Sequence, residues 1–170
     1  MADAASKPAD PKLPADPNLP AVRFVPAGED RFGLFRGLGV SSIAFKVTPQ
    51  DSEGALVLEN VFHARGGPPR HVHHDQDEWF FAIEGEFVVE AGSERHRLRA
   101  GDAILLPRGL PHVWAHVGES RGRILVAFFP AGKMEAFFRE VTRDNAMPAQ
   151  DPELWRAHGM ALAGPPLPLE

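Results

Sequence analysis

The chain of 170 residues contains no cysteine, and that absence removes several chemistries together. Disulfides, thiolate metal sites, cysteine nucleophiles and iron–sulfur clusters are all excluded. Any metal chemistry must use nitrogen and oxygen ligands, and eight histidines are available to supply them. Positive charge is also sparse. Eighteen Lys and Arg against 23 Asp and Glu leave a net charge of -5, with the cations scattered rather than gathered on one face. That balance argues against nucleic acid as a partner. No apolar run approaches the roughly 18 residues needed to span a bilayer, so no membrane partner is expected. The opening residues MADAASKPAD lack the basic start and apolar stretch of a secretory signal. A cytoplasmic location is expected, or a periplasmic one if a signal has been removed.

What remains is the composition of one ordinary globular domain, 44% hydrophobic and 24% charged, long enough to bury a core. Residues 1–20 carry Pro8, Pro11, Pro14, Pro17 and Pro20, the three-residue period of polyproline II. An extended arm is expected there, either a solvated tail or a strap across a partner subunit. Residues 21–163 are the expected domain, and 164–170, rich in Gly and Pro, a tail. From residue 21 to about 130 the pattern is short β-rich runs separated by Gly- or Pro-bearing breaks. Val40–Val47 alternates, with Ile43, Phe45 and Val47 on one face. Trp79–Ile83 and Ile124–Phe129 are apolar on both faces and need cover from a second sheet or a partner chain, whereas Glu94–Arg99 is polar and reads as an edge strand. Many short strands with no helix between them predict an all-β sandwich or barrel. After Pro130 the period changes: Met134, Phe137, Phe138 and Val141 mark one helix face, and Asp151, Pro152 and Gly159 bracket a second short helix.

The polar residues that carry chemistry fall in two segments. In an extended His71-Val72-His73, residues two apart share a face, so both imidazoles can approach one ion. Pro68 and Pro69 favour that extended conformation, and Glu78 follows after a polar stretch long enough to turn back. Alone, these residues read equally well as an exposed histidine cluster solvated by Asp75, Asp77 and Glu78. The second segment runs from Gly101 through a short apolar strand to Pro107-Arg108-Gly109 and then His112. A Pro-x-Gly turn reverses the chain and can aim the next side chain inward. On that strand His112, Trp114 and His116 share a face.

These two segments resemble the two motifs of the cupin superfamily. The first motif is matched by His71, His73, four residues, Glu78, six residues and Gly85; the second by Gly101, Pro107, Gly109 and His112. Between them, Glu86–Ala100 gives 15 residues, enough for one hairpin. Two departures stand out: Gly66 lies one residue closer to His71 than the pattern has it, and His116 replaces the terminal Asn. The resemblance implies a small antiparallel β-barrel or jelly roll, here with short C-terminal helices, commonly paired into a homodimer. It also implies one divalent transition metal (manganese, iron, cobalt, nickel, copper or zinc) held by His71, His73, Glu78 and His112. Within the superfamily, GGPPRHVHHDQDEWFFAIEGEF and AFFPAGKMEAFFREV look most like single-domain quercetin-dioxygenase-like proteins.

The expected pocket beside the metal is lined by Phe80, Trp114 and His116, with no Lys or Arg clearly placed inward. Aromatic walls suit a flat or apolar small molecule that binds the metal through oxygen. The leading expectation is a metal-dependent dioxygenase acting on a phenolic or enolic substrate, with Glu78 doubling as proton acceptor. His116 has two readings, a hydrogen-bonding pocket residue or a packed barrel histidine. The competing functions are a non-catalytic module that holds metal and a small ligand, and another cupin enzyme, an isomerase or decarboxylase.

Overall fold

In a computed structural model that describes residues 21–169, the chain forms two antiparallel sheets facing each other, with two short helices after the tenth strand. The strands are β1 (Arg36–Leu38), β2 (Ser41–Val47), β3 (Leu56–Phe62), β4 (Pro69–His73), β5 (Asp77–Glu84), β6 (Phe87–Ala91), β7 (Glu94–Leu98), β8 (Ala103–Leu106), β9 (His112–His116) and β10 (Gly122–Phe129). They are followed by α1 (Met134–Val141), α2 (Pro152–Ala157) and β11 (Met160–Pro166). One sheet has the order β1-β2-β3-β10-β5-β8 and the other β11-β4-β9-β6-β7. This is the expected all-β jelly roll with short C-terminal helices. The proline-bearing arm expected over 1–20 lies outside the described residues. Among those described, no helix is long and apolar enough to cross a membrane.

The alternation read from the sequence becomes the core. Phe45, Phe62, Phe80, Phe87 and Phe128 are all but fully buried between the sheets. Each aromatic removed from water contributes about 1.5–3 kcal/mol of hydrophobic stabilisation. On β3 the inward positions are Leu56, Leu58, Asn60 and Phe62, so one amide stands in an otherwise apolar row. The doubly apolar strands β5 and β10 pair with each other near the middle of the six-stranded sheet. Their inner faces join the core, while Trp79 and Phe81 stack on the outer face with ring centroids 5.9 Å apart. Leu105 and Phe129, on the same sheet, are 56% and 45% exposed. The polar strand β7 is an edge strand, as its composition predicts.

Helix α1 buries Met134 and Phe137 from the predicted apolar face. Helix α2 begins as expected: the Asp151 side chain accepts from the Glu153 backbone N–H at 2.9 Å, with Pro152 at the first helical position. The closing segment differs from expectation. Instead of a tail from residue 164, β11 runs to Pro166 and pairs with β4, Met160 opposite His73 and Leu162 opposite His71. Leu167 beyond it is buried. An edge strand tolerates Pro165 and Pro166 because their missing N–H groups need not serve a ladder on both sides.

Candidate metal centre

Strand pairing places the four predicted ligands together. His71 and His73 lie on one face of β4, and β4 pairs with β9 so that His71 stands opposite His112. Glu78 comes from the other sheet, at the start of β5, where it pairs with Leu106 and Phe128. Three imidazoles from one sheet thus meet a carboxylate from the other. One candidate ligand atom from each residue lies within 4.8 Å of every other, and all four side chains are buried. Two ties fix the register between the motifs. Gly109, at φ +79°, sits in the left-handed region that favours glycine, and its N–H donates to the His73 carbonyl at 2.7 Å. Asp77, beside Glu78, accepts from the Arg108 backbone N–H at 2.9 Å and from its guanidinium at 2.9 and 3.0 Å. Arg108 is therefore engaged at the surface and does not enter the cavity.

The hydrogen bonding of the histidines suits a cation. His71 Nδ1 lies 2.8 Å from the Pro69 carbonyl and His112 Nδ1 lies 2.9 Å from the Leu110 carbonyl. A carbonyl only accepts, so each Nδ1 carries a proton and each Nε2 faces the cluster. Both ring nitrogens of His73 are buried without a hydrogen-bond partner, its Nε2 standing 3.5 Å from Glu78 Oε2. Orphaned buried nitrogens are costly unless something fills the space between them. A divalent ion with nitrogen and oxygen ligands fits this donor set.

Electrostatics point the same way. Burial, with the neighbouring His112 adding to it, pushes His71 down to about 3, so its ring is neutral at ordinary pH. Burial pushes the Glu78 carboxyl up, but its contacts with His112 and His73 outweigh this and hold it well below the usual carboxylate range. Burial likewise opposes charge on His112, yet the 2.9 Å contact between its Nε2 and Glu78 Oε2 raises its pKa above the ordinary histidine value. A cation seated among the four groups would take the place of the proton that this contact favours.

Beside the four residues is a cavity of about 150 Å³ between the sheets, walled chiefly by apolar side chains and roofed by α1 and α2. Of the three pocket residues expected from the sequence, Trp114 lines it; Phe80 and His116 do not. Sharing a strand face does not mean sharing a depth. Phe80 lies two residues along β5 from Glu78 and packs behind Trp114, ring centroids 4.9 Å apart. His116 lies four residues along β9 from His112, about 13 Å at the rise of a strand. It is fully buried at the far end, with Nδ1 3.3 Å from the Ala64 carbonyl and its ring against Phe62 and Phe87.

Other residues take their places. Trp155 of α2 packs on His71, ring centroids 5.0 Å apart, and Phe128 of β10 on His73 at 5.4 Å. Asn60 of β3 supplies an amide to the wall. Its signal in the sequence is a polar residue breaking the apolar alternation of Leu56, Leu58 and Phe62. Nothing local to the sequence marked Trp155, which reaches the centre only because β11 folds back along β4.

Comparison with known proteins bears on the same segment. Residues 60–128 match the cupin domain family. That stretch contains all four residues of the cluster. Among curated proteins, the chain is 33% identical to uncharacterized protein SCO3923 of Streptomyces coelicolor over 57 residues, 34% of this chain and 53% of that one. It is 29% identical to oxalate oxidase 2 of Hordeum vulgare over 101 residues, 54% of this chain and 45% of that one. The chain thus spans about half the length of the curated relatives it matches. Among solved structures, KdgF from Halomonas sp. is similar at 23% identity and a TM-score of 0.47, covering 55% of this chain and 84% of that one. The jelly roll expected from the sequence is the fold observed, and the segment that matches the cupin domain carries four buried residues that could hold one metal ion.

Proposed function

We propose that His71, His73, Glu78 and His112 hold one divalent transition metal, and that the protein is a metal-dependent dioxygenase acting on a phenolic or enolic small molecule. This is the chemistry of the quercetin-dioxygenase-like cupins that the sequence resembles. The observation that carries the reading is the convergence of three imidazoles and one carboxylate, all buried, with His71, His73 and Glu78 on the wall of an apolar cavity. A bound divalent ion would supply Lewis acidity that lowers the pKa of a substrate hydroxyl. The chain's own groups do the rest. Apolar walls exclude water and orient a flat substrate with its oxygen toward the four residues. Glu78, the carboxylate of the cluster, accepts the hydroxyl proton. His71 and His112, each anchored to a backbone carbonyl, keep their rings fixed while this happens.

An oxalate-type substrate, suggested by the oxalate oxidase relatives, is less well served. A small dianion calls for a cationic clamp, and among the described residues no Lys or Arg lines the cavity. The decisive experiment is dioxygen uptake with a panel of phenols and enols, on protein loaded in turn with manganese, iron, cobalt and nickel. Uptake with at least one pairing is expected. No uptake with any, at full metal occupancy, overturns the oxygenase and leaves the non-catalytic binding module. We propose further that the chain pairs as a homodimer through the outer face bearing Trp79, Phe81, Leu105 and Phe129.

A further inference from the structure

The cavity is small and carries one unexplained polar group. Its volume, about 150 Å³, lies below the roughly 300–1,000 Å³ of common ligand pockets. An apolar cavity of about that size is known to accept benzene, a single six-membered ring. A flavonol, with two fused rings and a third attached, would have to extend beyond that space through its open side. The outlier on the wall is Asn60, only 6% exposed, with its Oδ1 buried and without a hydrogen-bond partner. Nearby Ser41 also faces the cavity, but its hydroxyl donates to the Leu38 carbonyl at 3.1 Å. An amide oxygen buried without a donor is costly to keep, and a ligand O–H or N–H would satisfy it once the side-chain amide turns toward the cavity.

We propose that the cavity takes a neutral one-ring molecule that meets the metal centre through an oxygen at one end and donates a hydrogen bond to Asn60 at the other. Asn60 is then the specificity-determining residue. A ligand whose donor meets this acceptor gains a hydrogen bond that the empty site lacks, and an analogue without the donor does not. The proposal rests on reading the four-residue cluster as a metal site, and it narrows the substrate class to one ring.

The test uses the full chain loaded with zinc, which is redox-inert, so that binding is read without turnover. Isothermal calorimetry compares three probes sharing one metal-binding hydroxyketone: maltol, a single ring; kojic acid, a single ring with an added hydroxymethyl donor; and 3-hydroxyflavone. Zinc retention is checked after each titration. Maltol and kojic acid are expected to bind, and 3-hydroxyflavone at least tenfold more weakly. Asn60→Leu is expected to weaken kojic acid about tenfold while leaving maltol within twofold, which also shows that the cavity has stayed folded. Asn60→Ser, a smaller and still polar change, is expected to weaken kojic acid less. Flavonol binding as tight as maltol overturns the one-ring assignment. Kojic acid binding unchanged in both variants overturns the role of Asn60. Failure of zinc to bind overturns the centre itself and this proposal with it, whereas selective one-ring binding without dioxygen uptake in the metal panel removes only the oxygenase.

Discussion

His116 and His112 sit on the same strand face, yet only one belongs to the cluster. His116 is packed against Phe62 and Phe87, and a Cβ on Gly122 would collide with its ring, so the space around it is full. Replacing His116 with Ala is expected to destabilise the fold by about 2 kcal/mol through the cavity it leaves. Denaturant unfolding should show that loss while metal content stays at the wild-type level; a drop in metal content with unchanged stability would contradict the packing role. Acid sensitivity also belongs to single residues. His71 is held near 3 in the folded chain against an ordinary value of 6.5. Above 6.5 the ring is neutral in both states. Below that pH the unfolded chain takes a proton that the folded chain refuses, so stability falls toward pH 3. Glu78, depressed in the fold, adds to the loss below its ordinary value of 4.5, whereas the raised His112 acts in the opposite sense only above 6.5. Urea midpoints of metal-free protein should therefore decline from pH 7 to pH 5, and a flat or rising profile would count against the buried neutral His71. The four residues of the cluster were legible in the sequence because their spacing is local, within two short segments. Asn60 was visible only as a break in alternation, and Trp155 not at all, since its contact with His71 depends on a long-range strand pairing.

At the level of elements, the site is held by connections that periodicity does not reveal. The strands were readable from alternation, and α1 and α2 from their apolar face and their bracketing Asp, Pro and Gly. The final strand was not, because Gly164, Pro165 and Pro166 carry the composition of a tail and only an edge position lets them pair. The link between the two motifs was equally hidden. Asp77 on β5 grips the turn ahead of β9 through Arg108, and this pairing draws its carboxyl down to about 2. Because the pair is exposed, it adds little to global stability. Its effect is on register: Asp77→Ala is expected to leave thermal unfolding nearly unchanged while weakening metal affinity several-fold. Competition titration with a chromophoric chelator measures that affinity, and wild-type affinity would show that the tie is dispensable.

For the whole molecule, the proposed centre joins the two sheets, since the three histidines belong to one and Glu78 to the other. The outer face of the six-stranded sheet is its counterpart for assembly, with Leu105 and Phe129 left 56% and 45% exposed. Replacing both Leu105 and Phe129 with Glu is expected to convert a dimer to a monomer in sedimentation velocity; an unchanged sedimentation coefficient would place any interface elsewhere. The central claim is the metal itself, and elemental analysis of protein purified without chelator tests it directly. The wild-type chain is expected to carry about one divalent transition-metal ion, and His112→Ala, folded by circular dichroism, much less. Equal occupancy in the two proteins, or none in either after exposure to each candidate ion, would contradict the account.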